Sequence, residues 1–248
     1  MDKPLKGKVV CITGAGRGLG AALARAFAAQ GASLVLASRT PPELEALAAE
    51  LGAACKVPVL AVPTDVRVKS EVDALIDAAV GEFGQLDVMV NNAGLAIYGP
   101  VESVTPDQLD LMIDTNLKGT IYGSQAAFRV MKPRRSGLIV NISSIAGKLH
   151  LPNESAYNAS KWAVNGFTGT LRLEAEPHGV KVSCVCPGGI DTPFWKSMDF
   201  LPFPPSIDPE RDFMKPEEVA GTVVQIALGS GGYVLPEVVM LPLITGRG

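Results

Sequence analysis

Histidine and cysteine are scarce in this sequence. Its 248 residues include two histidines and four cysteines. Cys184 and Cys186 have the spacing of neighbours on one face of a strand, which is not a zinc-ligand pattern. Two histidines are too few to complete such a site, and four cysteines are too sparse for a disulfide framework at this length. We therefore predict no bound metal.

Long apolar runs are missing as well. No run approaches the ~20 residues that a membrane-spanning helix needs. The apolar run at residues 9–12 is far too short to form the core of a secretion signal. We therefore expect a cytoplasmic protein without a membrane partner.

The chain also lacks an excess of positive charge. It carries 22 basic and 25 acidic residues, for a net charge of −3. The densest basic cluster, Lys132, Arg134 and Arg135, lies where a helical pattern ends, a position at which the helix dipole favours cations. This balance argues against a nucleic-acid partner.

Short apolar runs alternate with amphipathic stretches along the whole chain. The predicted strands are residues 8–13, 33–38, 57–62, 87–91, 137–143, 180–186 and 236–241. The predicted helices are residues 18–30, 42–51, 69–83, 106–131, 155–175 and 216–228. Continuous apolar strands between helices are typical of a parallel sheet buried on both faces. We predict an α/β fold: a single doubly wound Rossmann-like domain over residues 1–248, its seven-stranded parallel sheet flanked by helices on both faces.

One segment, residues 193–215, breaks this alternation. It contains five prolines, four phenylalanines and one tryptophan. It follows the carboxyl end of a predicted strand, where α/β folds bind their ligands. Two interpretations stay open, a surface loop over the core and a loop that covers the substrate. The second predicts a hydrophobic substrate, because so apolar a segment must cover something.

A glycine-rich turn joins the first predicted strand to the first predicted helix. Glycines permit a tight turn and close approach of a pyrophosphate, and the helix N-terminus offers free N–H groups to an anion. This context predicts a dinucleotide site. The candidate residues of the turn are Thr13, Gly14, Gly16, Arg17, Gly18, Leu19 and Gly20.

The end of the second strand predicts which dinucleotide binds. An NAD site places an acidic residue there to hold the ribose 2′-hydroxyl. This sequence has Ser38 and Arg39 instead, and Arg17 adds a second positive charge nearby. Because a guanidinium suits a 2′-phosphate, we predict NADP(H) as the cofactor.

Several further motifs occur in a distinctive order. Asn-Asn-Ala-Gly occupies residues 91–94, Ser144 precedes Tyr157 by thirteen positions, Lys161 follows Tyr157 by four, and Pro187-Gly188 follows the sixth strand. Together with residues 13–20, these motifs resemble the short-chain dehydrogenase/reductase family over residues ~7–192. The resemblance implies an oxidoreductase that transfers hydride between a nicotinamide cofactor and a carbonyl or secondary alcohol.

The resemblance implies four catalytic residues, Asn116, Ser144, Tyr157 and Lys161. Reduction of a carbonyl needs a proton donor, and tyrosine is a weak acid with a pKa of about 10. Lys161 lies one helical turn from Tyr157, so we expect its charge to lower the pKa of the phenol. Ser144 would stabilise the substrate oxygen, and Asn116 would support a proton relay to the lysine.

The same resemblance implies further cofactor contacts, with Tyr157 and Lys161 among them. The additional candidates are Asp65, Val66, Asn91, Ala93, Gly94, Pro187, Gly188, Ile190 and Thr192. His150 and His178 have no assigned role.

The C-terminal third departs from the family pattern, since its last strand lacks the usual glycine-rich ending. This departure argues mildly against a 3-oxoacyl-thioester (acyl-carrier-protein) reductase, which stays an alternative, as does a non-catalytic NADP-binding sensor or scaffold. The resemblance implies a homodimer or homotetramer in which the helices at 106–131 and 155–175 pair. Candidate contacts on the second helix are Ala163, Phe167 and Leu171.

Overall fold

A computed structural model describes residues 3–198, 200–229 and 232–243. Its strands are β1 Val9–Thr13, β2 Ser33–Ser38, β3 Val59–Pro63, β4 Val88–Asn91, β5 Gly137–Ile142, β6 Val180–Pro187 and β7 Glu237–Met240. All pair in parallel in the order β3-β2-β1-β4-β5-β6-β7. The predicted seven-stranded Rossmann-like sheet is confirmed.

Helices cover both faces of this sheet. They are α1 Gly18–Ala29, α2 Pro41–Cys55, α3 Lys69–Phe83, α4 Pro106–Met112, α5 Gly119–Arg134, α6 Ser155–Ala175, α7 Pro209–Asp212 and α8 Pro216–Leu228. Alternation along β1 shows how the faces divide. Val10 and Ile12 pack in one core cluster with residues of α1, α2 and α8, whereas Val9 and Cys11 pack in another with residues of α3, α5 and α6.

The predicted helix at 106–131 is interrupted. A π-helical stretch, Ile113–Lys118, separates α4 from α5, and α5 continues through Pro133 to Arg134. Within the π stretch, Asn116 bonds to the backbone of Leu95 and to Ser160. These long-range partners lie outside any periodic pattern, and π turns of this kind occur frequently at functional sites.

The outer face proposed for α6 needs one correction. Leu171 is only 6 % exposed and packs in the core with Ala175 and Val182, so its assignment to an intersubunit contact was wrong. The large apolar side chains that α6 does expose are Trp162 and Leu173. The helical period places a residue on a face only when the direction of the core is known, and the sequence alone left that direction open.

The strand order creates a crevice between β1 and β4. From β1 the chain builds outward to β2 and β3, then returns to place β4 on the other side. Loops leaving the carboxyl ends of these two strands diverge, which opens a binding crevice in doubly wound folds. The glycine-rich turn after β1 and the Asn-Asn-Ala-Gly segment after β4 both lie at this point.

Candidate active site

A cavity of about 590 Å³ lies at the carboxyl edge of the sheet. Its walls come from the turn after β1 and the loops after β2 to β6, with residues from the segment at 193–215. Most predicted site residues line it. These are Gly14, Gly16, Arg17, Gly18, Leu19, Gly20, Ser38, Arg39, Asp65, Val66, Ala93, Gly94, Ser144, Tyr157, Lys161, Pro187, Gly188, Ile190 and Thr192.

Close backbone packing shapes the glycine-rich turn. Gly14 and Gly18 have φ of +63° and +54°, which side chains disfavour. A Cβ on Gly20 would collide with the carbonyl oxygen of Gly14. The N-cap residue of α1 is Arg17, and its side chain forms no hydrogen bond to the first N–H groups of the helix. The turn therefore fits an anionic group such as a pyrophosphate.

Three predicted residues lie behind the cavity wall and do not line it. Thr13 is 2 % exposed, and its hydroxyl accepts hydrogen bonds from the backbone of Asn92 and Ala93, at 3.1 Å each. Asn91 turns its amide into the core, where it donates to Asn141 and Ser124. These two residues join the loops after β1 and β4, and it is Asn92 that faces the cavity.

Asn116 is the third of these residues. Its side chain is fully buried, donates to the Leu95 carbonyl at 2.8 Å and to the Ser160 hydroxyl at 3.0 Å, and accepts from the Leu95 N–H. A Cβ on Gly94 would lie 3.3 Å from Asn116 Oδ1 and 3.5 Å from Lys161 Nζ. The asparagine therefore ties the π turn to the loop after β4, close to the lysine.

The two cations at the β2 end of the cavity are Arg17 and Arg39. Both are exposed, and neither forms an ion pair within the described part of the chain. Asp65, by contrast, is paired with Arg67, and this hydrogen bond lowers the pKa of its carboxyl. Sequence analysis missed Glu43 of α2, which fills the space beside Gly16: a Cβ on that glycine would come within 2.8 Å of Glu43 Oε2.

Ser144, Tyr157 and Lys161 meet at the other end. Ser144 follows β5, and its hydroxyl accepts from the Ala146 N–H at 3.1 Å. Tyr157 and Lys161 lie one turn apart on α6, both buried. Lys161 Nζ donates to the Ile142 carbonyl at 3.1 Å and lies 5.8 Å from the centroid of the Tyr157 ring.

The pKa of Tyr157 shifts against the predicted direction. Burial raises it to about 12, while a hydrogen bond with Ser144 acts the opposite way. Burial also lowers the pKa of Lys161 to about 8, an effect that Cys184 and Cys186 oppose. Desolvation therefore outweighs the attraction expected from helical spacing, and each of the two pKa values shifts in the direction that favours the neutral form.

An aromatic cluster encloses the catalytic end. Tyr98 contacts the Tyr157 ring edge-on, with centroids 5.5 Å apart, and stacks on Trp195 at 6.2 Å. The Trp195 indole donates to the Ile190 carbonyl at 2.7 Å and packs against Phe203 and Phe213. The segment at 193–215 thus contributes a wall of the cavity, as the substrate-covering interpretation requires.

Sequence analysis missed other cavity residues, among them Tyr98, Leu151 and Glu154. Tyr98 comes from a loop without periodicity, so no pattern marked it. Glu154 could have been noticed as an acidic residue three positions before Tyr157. The unassigned His150 is exposed, stacks on Trp162 and does not itself line the cavity.

Comparison with known proteins identifies the family of this chain. The profile of the short chain dehydrogenases matches residues 8–199. The chain belongs to the short-chain dehydrogenase family. It is 35% identical over 220 residues to an uncharacterized oxidoreductase of Staphylococcus epidermidis, an alignment covering 89% of this chain and 90% of that protein.

Solved structures resemble this short-chain dehydrogenase over nearly its whole length. An alcohol dehydrogenase from the archaeon Thermococcus sibiricus, complexed with 5-hydroxy-NADP, is 31% identical with a TM-score of 0.87, over 97% of this chain and 98% of that one. A metagenomic short-chain oxidoreductase in complex with NADP is 31% identical with a TM-score of 0.83, over 98% and 100%.

Two features are absent from the described residues of this short-chain dehydrogenase. Across residues 3–198, 200–229 and 232–243, no helix combines the length and apolarity needed to cross a membrane. Within those same ranges, no three His, Cys, Asp or Glu side chains are grouped so as to hold a metal ion.

The buried lysine predicts a pH-dependent stability. Because the folded-state pKa of Lys161 is lowered from 10.5 to about 8, the unfolded chain binds more protons between these pH values. The destabilisation is therefore full below pH 8 and is relieved as the pH rises towards 10.5. The free energy of unfolding of the wild type, relative to Lys161→Met, should rise by up to about 1.4 kcal/mol per pH unit in this window.

Urea unfolding at several pH values from 7 to 10, without cofactor, measures this difference. Lys69→Met, at an exposed position of α3, is the matched control for loss of a lysine. A difference between wild type and Lys161→Met that stays constant across the window would show that the amine is not desolvated.

Proposed function

We propose that this protein reduces hydrophobic ketones or aldehydes with NADPH, and catalyses the reverse oxidation of the alcohol. The observation that carries the proposal is one cavity shared by a pyrophosphate-type glycine turn and the Ser144, Tyr157 and Lys161 side chains. A non-catalytic sensor or scaffold would need the turn but has no use for a phenol, a hydroxyl and an amine at the far end.

Tyr157 acts as the proton donor in this proposal. NADPH, when bound, supplies the hydride that reaches the carbonyl carbon. The Tyr157 phenol transfers its proton to the carbonyl oxygen, and the Ser144 hydroxyl orients that oxygen and stabilises its developing charge. A neutral phenol with a pKa of about 12 is protonated at neutral pH, which favours the reductive direction. The Lys161 amine lies beside the Tyr157 ring. Asn116 is a positioning residue close to Lys161.

NADP(H) is favoured by the charges at the β2 end. Arg17 and Arg39 line the cavity without ion-pair partners in the described residues, so both are available to a 2′-phosphate. The related structures complexed with NADP and 5-hydroxy-NADP support this assignment. Gly188, Ile190 and Thr192 line the same cavity and would hold the nicotinamide.

A hydrophobic substrate is favoured by the aromatic cluster. Tyr98, Trp195, Phe203 and Phe213 line the catalytic end, and such rings gain most from covering apolar surface. A loop that closes over the reacting groups also excludes water during hydride transfer. No comparable observation favours a 3-oxoacyl thioester.

We also propose that the protein is a homo-oligomer, at least a dimer. Trp162 and Leu173 on α6 are 43 % and 60 % exposed, and Val239, Leu241 and Leu243 are exposed at or just after the edge strand β7. Exposed apolar side chains and an unpaired strand edge are commonly covered by a symmetry mate.

The proton donor is tested by Tyr157→Phe, which removes only the hydroxyl. We expect kcat with NADPH to fall by about 10²- to 10⁴-fold, the usual contribution of a general acid, with little change in NADPH affinity. Turnover on a panel of ketones and aldehydes and cofactor binding by nicotinamide fluorescence measure the two effects. Tyr122→Phe, on α5, is the control. Turnover near the wild-type value in Tyr157→Phe would refute the assignment.

Cofactor preference is tested by Arg39→Asp. Loss of a charged hydrogen bond should weaken NADPH binding by about 10- to 150-fold. The introduced carboxylate can accept from a ribose 2′-hydroxyl, so NADH should now bind more tightly than NADPH. Dissociation constants for both cofactors measure this, with Arg129→Asp on α5 as control. If the wild type binds both cofactors equally, the proposal for Arg39 is wrong.

Assembly is tested by light scattering at micromolar concentration. We expect a mass at least twice that of one chain. Trp162→Glu together with Leu173→Glu should reduce the mass if α6 forms the contact, because each buried carboxylate would lack a partner. A wild-type protein with the mass of a single chain would contradict the proposal.

A further inference from the structure

Glu154 is a buried carboxyl that the proposed mechanism does not use. It lies directly before α6, lines the cavity and is 7 % exposed. Its backbone is fixed, since its N–H donates to the Leu151 carbonyl at 3.3 Å and its carbonyl accepts from Asn158 at 2.7 Å. Its side chain has no hydrogen-bond or ion-pair partner within residues 3–198, 200–229 and 232–243, so no protein group satisfies this carboxyl.

The absence of hydrogen-bond donors makes a charged Glu154 carboxylate unfavourable in this buried position. Desolvation alone raises the pKa of Glu154 to about 7. A buried carboxyl without donors destabilises a fold unless water, an ion or a ligand supplies the partner. The carboxyl oxygens are not among the fully enclosed, unpartnered atoms of the described residues. They therefore remain accessible to a group entering the cavity.

Glu154 lines the same cavity as Tyr157 and Tyr98. After burial, the charge of Glu154 is a further cause of the raised pKa of Tyr157. It also contributes to the raised pKa of Tyr98, after burial and Tyr157. Tyr98 contacts the Tyr157 ring and stacks on Trp195. The carboxyl thus lies near the proton donor, at a mainly aromatic wall.

We propose that Glu154 is a specificity-determining residue that accepts a hydrogen bond from a hydroxyl or ammonium group on the substrate, adjacent to the reacting carbonyl. This inference rests on the proposed function and narrows its substrate class to hydrophobic hydroxyketones or aminoketones. Either donor satisfies the carboxylate, and for an ammonium group the faces of Tyr98 and Trp195 add cation–π attraction. The aromatic wall takes the apolar body of the same molecule.

Three matched ketones separate this role from general effects on catalysis. Acetophenone lacks a donor, α-hydroxyacetophenone carries a hydroxyl and α-aminoacetophenone carries an ammonium group. The quantity measured is kcat/KM for each donor ketone divided by kcat/KM for acetophenone, with NADPH. Because intrinsic carbonyl reactivity is the same for every variant, it cancels when these ratios are compared between proteins.

The variants are Glu154→Met, which keeps length but removes the acceptor, and Glu154→Gln, which keeps an acceptor oxygen but removes the charge. Glu174→Gln, at an exposed position near the other end of α6, is the matched control. In Glu154→Met at least one donor-ketone ratio should fall by about 10- to 150-fold. In Glu154→Gln, a retained α-hydroxyacetophenone ratio identifies the hydroxyl as the group bound, and a lost α-aminoacetophenone ratio identifies the ammonium.

Ratios in Glu154→Met within about twofold of the wild type, with acetophenone still reduced, overturn the proposal while leaving the reductase function intact. If no ketone is turned over, a binding measurement tests the role of Glu154 separately from the proposed reductase function. Calorimetry with the product alcohols, 1-phenylethanol against its β-hydroxy and β-amino derivatives, uses the NADP-loaded wild type and Glu154→Met. A donor-dependent gain in affinity that Glu154→Met loses supports the inference; equal affinity in both proteins, or no binding to either, overturns it.

Discussion

The parallel pairing of β1 with both β2 and β4 is the constraint on which the site depends. It places the carboxyl ends of the central strands at one edge and sends the following loops apart. The glycine-rich turn, Arg39 and Ser144 follow strands at this edge, whereas Tyr157 and Lys161 lie on α6, which packs against β6. The Thr13 hydroxyl joins the two loops where they separate, because it accepts hydrogen bonds from the backbone N–H groups of Asn92 and Ala93 in the loop after β4. A fault in this pairing would displace both ends of the cavity together.

Burial is the second constraint, and it acts on the chemistry. The layers of helices that stabilise the sheet also remove water from Tyr157 and Lys161, and both shift towards their neutral forms. A neutral phenol is a competent proton donor, and with a pKa of about 8 the Lys161 amine is still mainly protonated at neutral pH. The ligand-free site is therefore set for donating a proton, and the reverse reaction needs the phenol to become more acidic.

The fold could be predicted from the sequence because its central strands are buried on both faces. Continuous apolar runs located β1 to β7 to within two residues at each end. The motif residues of the turn and of α6 were also predictable, since their spacing follows helix and strand geometry. Spacing carries no measure of burial, so the pKa direction of Tyr157 was missed. Tyr98 and the π turn at Asn116 escaped notice because they depend on contacts distant in sequence.

Asn141 and Glu154 are two buried polar residues that differ in whether other protein groups form hydrogen bonds with their side chains. Asn141 is fully buried in β5, where its amide accepts from Asn91 and Ser124 and donates to Thr168. Its polar atoms are satisfied by neighbours that are present whenever the chain is folded, so they fix the packing of α5 and α6 on the sheet. Glu154 is buried almost as deeply, yet nothing in the described chain pairs with its carboxyl. What distinguishes Glu154 is its place at the wall of the cavity, where its oxygens can be reached by a ligand that supplies the missing donor.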